Sequence, residues 1–368
     1  MTNDRIIIEG KAKIRARVSN ETGKGPSSAS TAFFNPSMKM NRDISIFLAR
    51  KYNVKTALDG LSASGIRGIR LVLETDVEHV TFNDINPASV EYIRNNILWN
   101  GINENNFRIE STDVRNLILQ DFYDYIDIDP YGSPVRFVDS IVQNAGHALC
   151  AVSATDTATL SGTYPRTCMR RYFARSAREY FGHEIGLRIL LGYIARIAAI
   201  YKKQLIPVLS YYQGHYFRIY FRLRPGSPDY LSEKMGLLIY DKKSGERRFM
   251  DVNPFDVDSI ARSEIGEGEK LYGPMWRDKL CSDDIRNISA DEYTGEFIRN
   301  VLNEDSYPPL FYDINRISSI LRISSPSLMK IKVELNDMGY RFDRSYFSAT
   351  GIKTDAPYDV ILNILKNY

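Results

Sequence analysis

From residue 54 to residue 224 short apolar runs alternate with stretches of helical texture, and several of the runs stop at an aspartate. Residues 54–59, 79–84, 107–112, 123–129 and 147–153 are each short and bounded by Gly, Pro, Asn or Asp, so each reads as a buried strand. Between them, residues 68–74 and 87–99 read as helices, the second with Pro87 in its first turn. A longer helical region spans residues 166–203 and should break near Gly182. Residues 205–211 and 215–224 lie close enough in sequence to pair antiparallel. Strand–helix alternation of this kind specifies an α/β fold with a mostly parallel sheet covered on both faces. Ligands of such sheets bind at the carboxyl ends of the strands, where the aspartates fall.

The turn after the first strand reads Asp59-Gly60-Leu61-Ser62-Ala63-Ser64-Gly65-Ile66-Arg67-Gly68. Glycines there let backbone approach a ligand closely. Asp84 closes the second strand, where a carboxylate can accept both hydroxyls of a ribose. No phosphate-binding lysine accompanies the loop, which argues against a nucleoside triphosphate. Asp113 can accept from an adenine amino group with Val114 offering its N–H, and it reads equally well as a helix N-cap. The fourth strand runs into Asp129-Pro130-Tyr131-Gly132-Ser133-Pro134. A carboxylate, a proline that fixes the turn and an aromatic face suit an exocyclic amine on a flat ring. An ordinary strand exit is the plainer alternative. The segment resembles the Asp-Pro-Pro-Tyr signature of adenosylmethionine-dependent amino-methyltransferases. Together the four acids mark a site for S-adenosyl-L-methionine.

The 368 residues, 43% hydrophobic and 25% charged, suffice for two soluble domains. No apolar run approaches the roughly 20 residues of a membrane span, and residues 1–17 hold no apolar signal core. Cys150, Cys168 and Cys281 form no C-x-x-C pair, which points to neither a disulfide framework nor a zinc knuckle and fits a reducing, cytoplasmic setting. Net charge is only +3, so the distribution matters more. Lys11, Lys13, Arg15 and Arg17 would share one face of a strand. Arg166, Arg170, Arg171, Arg175 and Arg178 lie at near-helical spacing. These clusters, with 24 tyrosines, point to a polyanionic partner. Arg224-Pro225-Gly226-Ser227-Pro228 reads as a linker between residues 1–225 and 226–368. The second part, with a hairpin over 237–250 and helices over 291–303, 314–323 and 327–338, reads as a smaller α+β domain.

Phe33-Phe34-Asn35-Pro36 with Asn41-Arg42-Asp43, the loop from Asp59 to Arg70 and Asp129 to Pro134 together resemble the tRNA (guanine-N2)-dimethyltransferases, which act on guanine 26. Thr155-Asp156-Thr157, Cys168-Met169-Arg170-Arg171-Tyr172, His183 to Arg188, His215-Tyr216-Phe217-Arg218, Gly273-Pro274-Met275-Trp276 and Lys353-Thr354-Asp355-Ala356-Pro357 extend the resemblance over nearly the whole chain. It implies a class I methyltransferase, Rossmann-like sheet with an antiparallel last strand, followed by a tRNA-binding C-terminal domain. It places cofactor contacts on Arg42, Arg67, Asp84, Asp113 and Val114, and the catalytic carboxylate on Asp129; Asp59, which opens the glycine-rich loop, joins the cofactor contacts on the loop reading. Many relatives carry a cysteine-ligated zinc in the C-terminal hairpin. Here that stretch reads Ile239-Tyr240-Asp241-Lys242-Lys243-Ser244-Gly245, so no zinc is expected.

On this reading Asp129 and the Pro130 carbonyl hold the two N–H groups of the guanine amine, and Asp129 can take the proton it loses. Tyr131 with Phe33 or Phe34 would sandwich a flipped base; core packing is the alternative for Phe34, and a surface pair with Asp43 for Arg42. His183, Glu184 and His215 read as structural rather than as a metal cluster. Arg316, Arg322, Lys330, Lys332, Arg341 and Arg344 would supply phosphate contacts. The partner is tRNA, with no membrane and no obligate protein partner. A DNA or protein amino-methyltransferase could use the same pocket, and a non-catalytic RNA-binding protein is a rival of another class.

Overall fold

The computed structural model describes residues 4–18, 32–251, 265–285 and 292–368. Two compact units emerge: residues 1–155 with 220–224, and residues 156–219 with 225–368.

The first unit is built on parallel strands. In chain order they are β1 (Thr56–Asp59), β2 (His79–Asn83), β3 (Phe107–Glu110), β4 (Tyr125–Ile128) and β5 (Leu149–Ala154). β1 pairs in parallel with both β2 and β4, β2 with β3, and β4 with β5. The order therefore reverses between β1 and β4, which makes their carboxyl ends the topological switch point. All four residues of β4 and all six of β5 are buried, the continuous burial of a strand covered on both faces. The strand Tyr216–Pro225 follows β5 in the strand order, and Lys203–Gln213 follows it at the edge. Only two residues, Gly214 and His215, join those last strands, and so short a link can connect only antiparallel neighbours.

Two helices aim the site. α1 (Lys39–Lys51) buries Asn41, Arg42 and Ser45 with its apolar residues. α2 (Ile66–Glu74) starts at Gly65, whose φ of +78° is open to glycine at no steric cost. Gly68 lies so close to Phe82 that a Cβ would stand 2.3 Å from its ring. α3 (Pro87–Trp99) spans the residues expected from sequence. Residues 12–18 form a strand whose Ala12, Ile14 and Ala16 face inward while Lys13 and Arg15 face solvent; Lys11 lies in the turn before it, and Arg17 is half-buried. Asn96 and Asn100 fasten it to α3. Their Oδ1 atoms accept the amides of Arg15 (2.8 Å) and Lys13 (2.9 Å), and their Nδ2 atoms donate to the same residues' carbonyls.

In the second unit the long helical region is two helices, Pro165–Tyr172 and Gly182–Ile200. Gly182 opens the second helix, and residues 173–181 lie outside both, so Arg175 and Arg178 do not continue the helical spacing of Arg166 and Arg170. The hairpin is Met235–Asp241 with Arg247–Asp251, extended antiparallel by Glu269–Trp276. Helices Ile314–Leu321, Leu328–Asp337 and Tyr358–Lys366 pack around a core of Ile317, Ile331, Leu335, Ile352 and Ile361. Among the described residues no helix is long and apolar enough to cross a membrane.

Candidate active site

Four acids come to the carboxyl ends of β1 to β4. Asp59 ends β1 and is buried, and its carboxylate accepts the Gly68 amide at 3.1 Å. Burial pushes its pKa up to about 7, against the pull of Arg67 and with the push of Asp127. Asp84, just past β2, accepts Ala63 N and Asn86 N at 2.9 Å each and so ties the glycine-rich loop to the start of α3. Burial raises its pKa although both backbone bonds pull it down. Asp113 caps the helix Val114–Gln120 through Arg115 N (3.1 Å), and the Arg115 guanidinium grips its carboxylate and holds its pKa below the ordinary range.

The loop leaves no room for side chains at its tightest point. A Cβ on Gly60 would stand 2.7 Å from both Val114 Cγ2 and Ile128 Cδ1. The Ser64 hydroxyl, buried in the same loop, has no hydrogen-bond partner among the described residues. A backbone-lined bend, an orphaned buried hydroxyl and carboxylates after successive strands fit a ribose-bearing, adenine-bearing ligand.

Asp129 follows β4, and its Oδ2 accepts Arg67 Nη2 at 2.6 Å. Arg67 is itself held on several sides. Its Nη1 donates to Asn41 Oδ1 (2.8 Å) and Ser45 Oγ (2.7 Å), and its Nε lies 3.4 Å from Asp127 Oδ1. Ser45 Oγ in turn meets Tyr220 Oη at 2.9 Å, and that hydroxyl donates to the Asn41 carbonyl at 3.1 Å. Thus α1, α2 and β4 fix one guanidinium, and the guanidinium fixes one oxygen of Asp129. Pro130 is buried. Tyr131 is 43% exposed and meets the edge of Phe33, ring centroids 5.4 Å apart at 62°. Gly132 pins the turn: its amide donates to Thr155 Oγ1 (2.6 Å) and its carbonyl accepts Thr155 N (2.9 Å).

Phe33 and Tyr131, expected from sequence to stack on a base, meet each other, and Arg67, expected as a cofactor contact, pairs with Asp129. Phe34 is only 5% exposed, and the Arg42 guanidinium sits 4.7 Å from its ring centroid. Arg42 is buried and donates to both oxygens of Glu9, at 2.7 and 2.5 Å, and to the Asn35 carbonyl. A surface pair between Arg42 and Asp43 does not form; Asp43 instead pairs with Arg70 at 2.7 Å and Lys39 at 2.6 Å. Burial raises the Glu9 carboxyl, and the Arg42 and Arg70 guanidiniums more than offset this and leave it lowered. Asn41, Ser45 and Asp127, the holders of Arg67, were given no role in the site from sequence, although Asn41 stands in the Asn41-Arg42-Asp43 motif. An acid inside the apolar strand Tyr125–Ile128 was the available signal for Asp127.

The family model for N2,N2-dimethylguanosine tRNA methyltransferases matches residues 10–366. The chain is 34% identical to the tRNA (guanine(26)-N(2))-dimethyltransferase of Pyrococcus abyssi, over 98% of each chain. It is 33% identical to that of Thermoplasma volcanium, again over 98% of each. It is 32% identical to the tRNA (guanine(26)-N(2)/guanine(27)-N(2))-dimethyltransferase of Aquifex aeolicus, over 97% of this chain and 94% of the other. The solved complex of Trm1 from Pyrococcus horikoshii with S-adenosyl-L-methionine superposes with a TM-score of 0.83 at 33% identity, covering 98% and 99% of the two chains. With its switch-point acids and its Asp-Pro-Tyr turn, the chain belongs to the N2,N2-dimethylguanosine tRNA methyltransferase family.

Proposed function

We propose that this chain transfers one or two methyl groups from S-adenosyl-L-methionine to N2 of guanine 26 in tRNA, in the cytoplasm and without an obligate protein partner. The observation that carries the reading is the Arg67–Asp129 pair at the switch point, beside Tyr131, in a chain of this family. Asp84 would take the ribose of the cofactor, Asp113 and Val114 its adenine, and Arg42, Asp59 and Arg67 frame its pocket. When bound, the cofactor supplies an electrophilic sulfonium methyl group. Residues 226–368 would supply most of the contacts to the tRNA body.

The N2 lone pair of guanine is delocalised into the ring, so the amine must be held and turned before it can attack. Among the described residues Arg67 is the partner of Asp129, and it uses Oδ2. Oδ1 is left to accept a guanine N–H, and the Pro130 carbonyl can take the other. A guanidinium keeps its charge at any working pH. Asp129 is therefore presented as an oriented anionic acceptor, and alignment is its main contribution. It can receive the amine proton once the nitrogen has been alkylated, when that proton is acidic. Tyr131 and Phe33 offer faces for the flipped base, which would part the edge contact they now make. A second methyl transfer requires only rotation of the amine.

The test is transfer of labelled methyl from S-adenosylmethionine to a tRNA transcript and to the same transcript with guanine 26 changed to adenine. Label on the first alone, recovered as N2-methylated guanine, is the expected result. Equal label on both would reject the site. No label on either, with cofactor still bound, would move the substrate to DNA or protein.

A further inference from the structure

The helix Pro165–Tyr172 in the second unit has one fastened face and one free face. Cys168 and Tyr172 point inward and are fully buried. The Tyr172 hydroxyl donates to Asp156 at 2.8 Å, Arg171 Nη1 reaches the same carboxylate at 2.9 Å, and Arg196 Nη2 donates to the Tyr172 carbonyl at 2.6 Å. The opposite face carries Arg166, Met169, Arg170 and Phe173, spaced i, i+3, i+4 and i+7, which is one stripe of a helix. Met169 is 45% exposed, Phe173 61%, and Tyr164 at the helix N-cap 58%. Arg166 and Arg170 are exposed, as are Arg175 and Arg178 just beyond.

Three features set this strip apart from an ordinary solvated face. Residues 164–178 contain no acid, and among the described residues none of these four arginines has a carboxylate partner. Phe173 adopts φ +49°, left-handed backbone that a bulky side chain enters only at a cost. Glycine or asparagine would serve the fold better there, and burial cannot repay a ring that is mostly in water. The strip is also held in place: Arg175 and Gly273 exchange both backbone hydrogen bonds, at 2.8 and 2.9 Å. Guanidiniums on an anchored backbone, interleaved with exposed rings, are what a nucleotide chain needs, phosphates meeting the arginines and bases stacking on the aromatics.

We propose that Tyr164, Arg166, Arg170 and Phe173 form a seat for nucleotides of the RNA substrate other than the methylated guanine. Arg166 and Arg170 contact phosphates, and Tyr164 and Phe173 stack on bases. The proposal rests on the tRNA reading above, and its test separates the two. Binding of a tRNA transcript to the full-length enzyme is measured by filter retention over a range of KCl concentrations, beside methylation kinetics. Each arginine–phosphate contact contributes roughly 0.7–0.9 to the slope of log K against log salt. Arg166→Gln/Arg170→Gln should therefore flatten the slope by about 1.5 and weaken binding severalfold at low salt. Phe173→Asn, which suits the left-handed backbone, should weaken binding roughly five- to tenfold with the salt slope unchanged. KM for tRNA should rise in both variants while kcat at saturating tRNA moves far less. Calorimetric cofactor affinity and melting temperature check that the variants are folded. Wild-type affinity and salt slope in folded variants would overturn the seat. If the wild type binds tRNA without methylating it, the proposed activity fails while the binding slopes still decide the seat. If it binds no tRNA, both proposals fall.

Discussion

Arg67 meets Asn41, Ser45, Asp127 and Asp129 in a pocket nearly closed to water. Lysine could keep the charge but not the fork that reaches Asp129 and α1 together. Arg67→Lys should therefore lower kcat roughly 10- to 100-fold at saturating cofactor and tRNA, as expected when a reacting group is slightly misplaced. A variant that raised only KM for the cofactor would mean that Arg67 serves the cofactor pocket and does not place Asp129. Asp129→Ala should abolish transfer while calorimetry still detects cofactor. Asp59 offers a pH test. Its folded pKa is raised to about 7 by burial, so between the ordinary carboxyl pKa and 7 the folded chain binds its proton more tightly than the unfolded chain. Its contribution to stability is full below about pH 4 and is lost as pH rises to 7, with no further change above. Asp59→Asn should remove that loss. The stability of the variant relative to wild type, from urea unfolding, should rise between pH 5 and pH 8 by the order of a few kcal/mol. A difference independent of pH would mean Asp59 is charged throughout.

At the scale of elements, what was legible depended on how local the signal is. Pro87 and the run to Trp99 delimit α3 because proline at a helix start and apolar periodicity are properties of neighbouring residues. The acids after the strands and the turn at Asp129 were legible for the same reason. The seam between α3 and the strand Ala12–Val18 was not, since Asn96 bonds Arg15 across 81 positions and Asn100 bonds Lys13 across 87. An asparagine in a helix carries no mark of the strand it will pair with. The helix end at Tyr172 was missed because Phe173 turns left-handed without a glycine to announce it. Asn96 is buried and also donates to the Ser64 carbonyl at 2.9 Å, which links the strand to the glycine-rich loop. Asn96→Ala would leave an amide and two carbonyls without partners and should cost about 2–3 kcal/mol. That is read as a lower urea midpoint at unchanged m-value. A midpoint equal to wild type would mean other groups satisfy the seam.

At the scale of the whole molecule, two motifs far apart in the sequence form one cluster. Lys353, opening Lys353-Thr354-Asp355, places Nζ 3.2 Å from Glu184 Oε1, 169 positions earlier, and 3.7 Å from Glu304 Oε1. Glu184 also receives Arg188 Nε at 3.0 Å and the amides of Leu310 and Phe311. Both Glu184 and Lys353 are almost fully buried. Burial drives both carboxyls toward neutrality. Lys353 and Arg188 overcome it at Glu184, whose pKa is lowered. Glu304 has the more distant Lys353 and the repulsion of Glu184, and its pKa is raised. The motif around Lys353 thus holds the second unit together, a role separate from the phosphate contacts expected of exposed cations. Lys353→Met keeps much of the volume but leaves Glu184 with one cation fewer and Glu304 with none of those that face it here. Removing one partner of a buried ion cluster costs about 3–5 kcal/mol. Lys353→Met should lower the unfolding midpoint accordingly, and adding Glu304→Gln should recover part of the loss because an uncompensated acid is then removed. Equal stability of Lys353→Met and wild type, together with weakened tRNA binding, would instead make Lys353 an RNA contact.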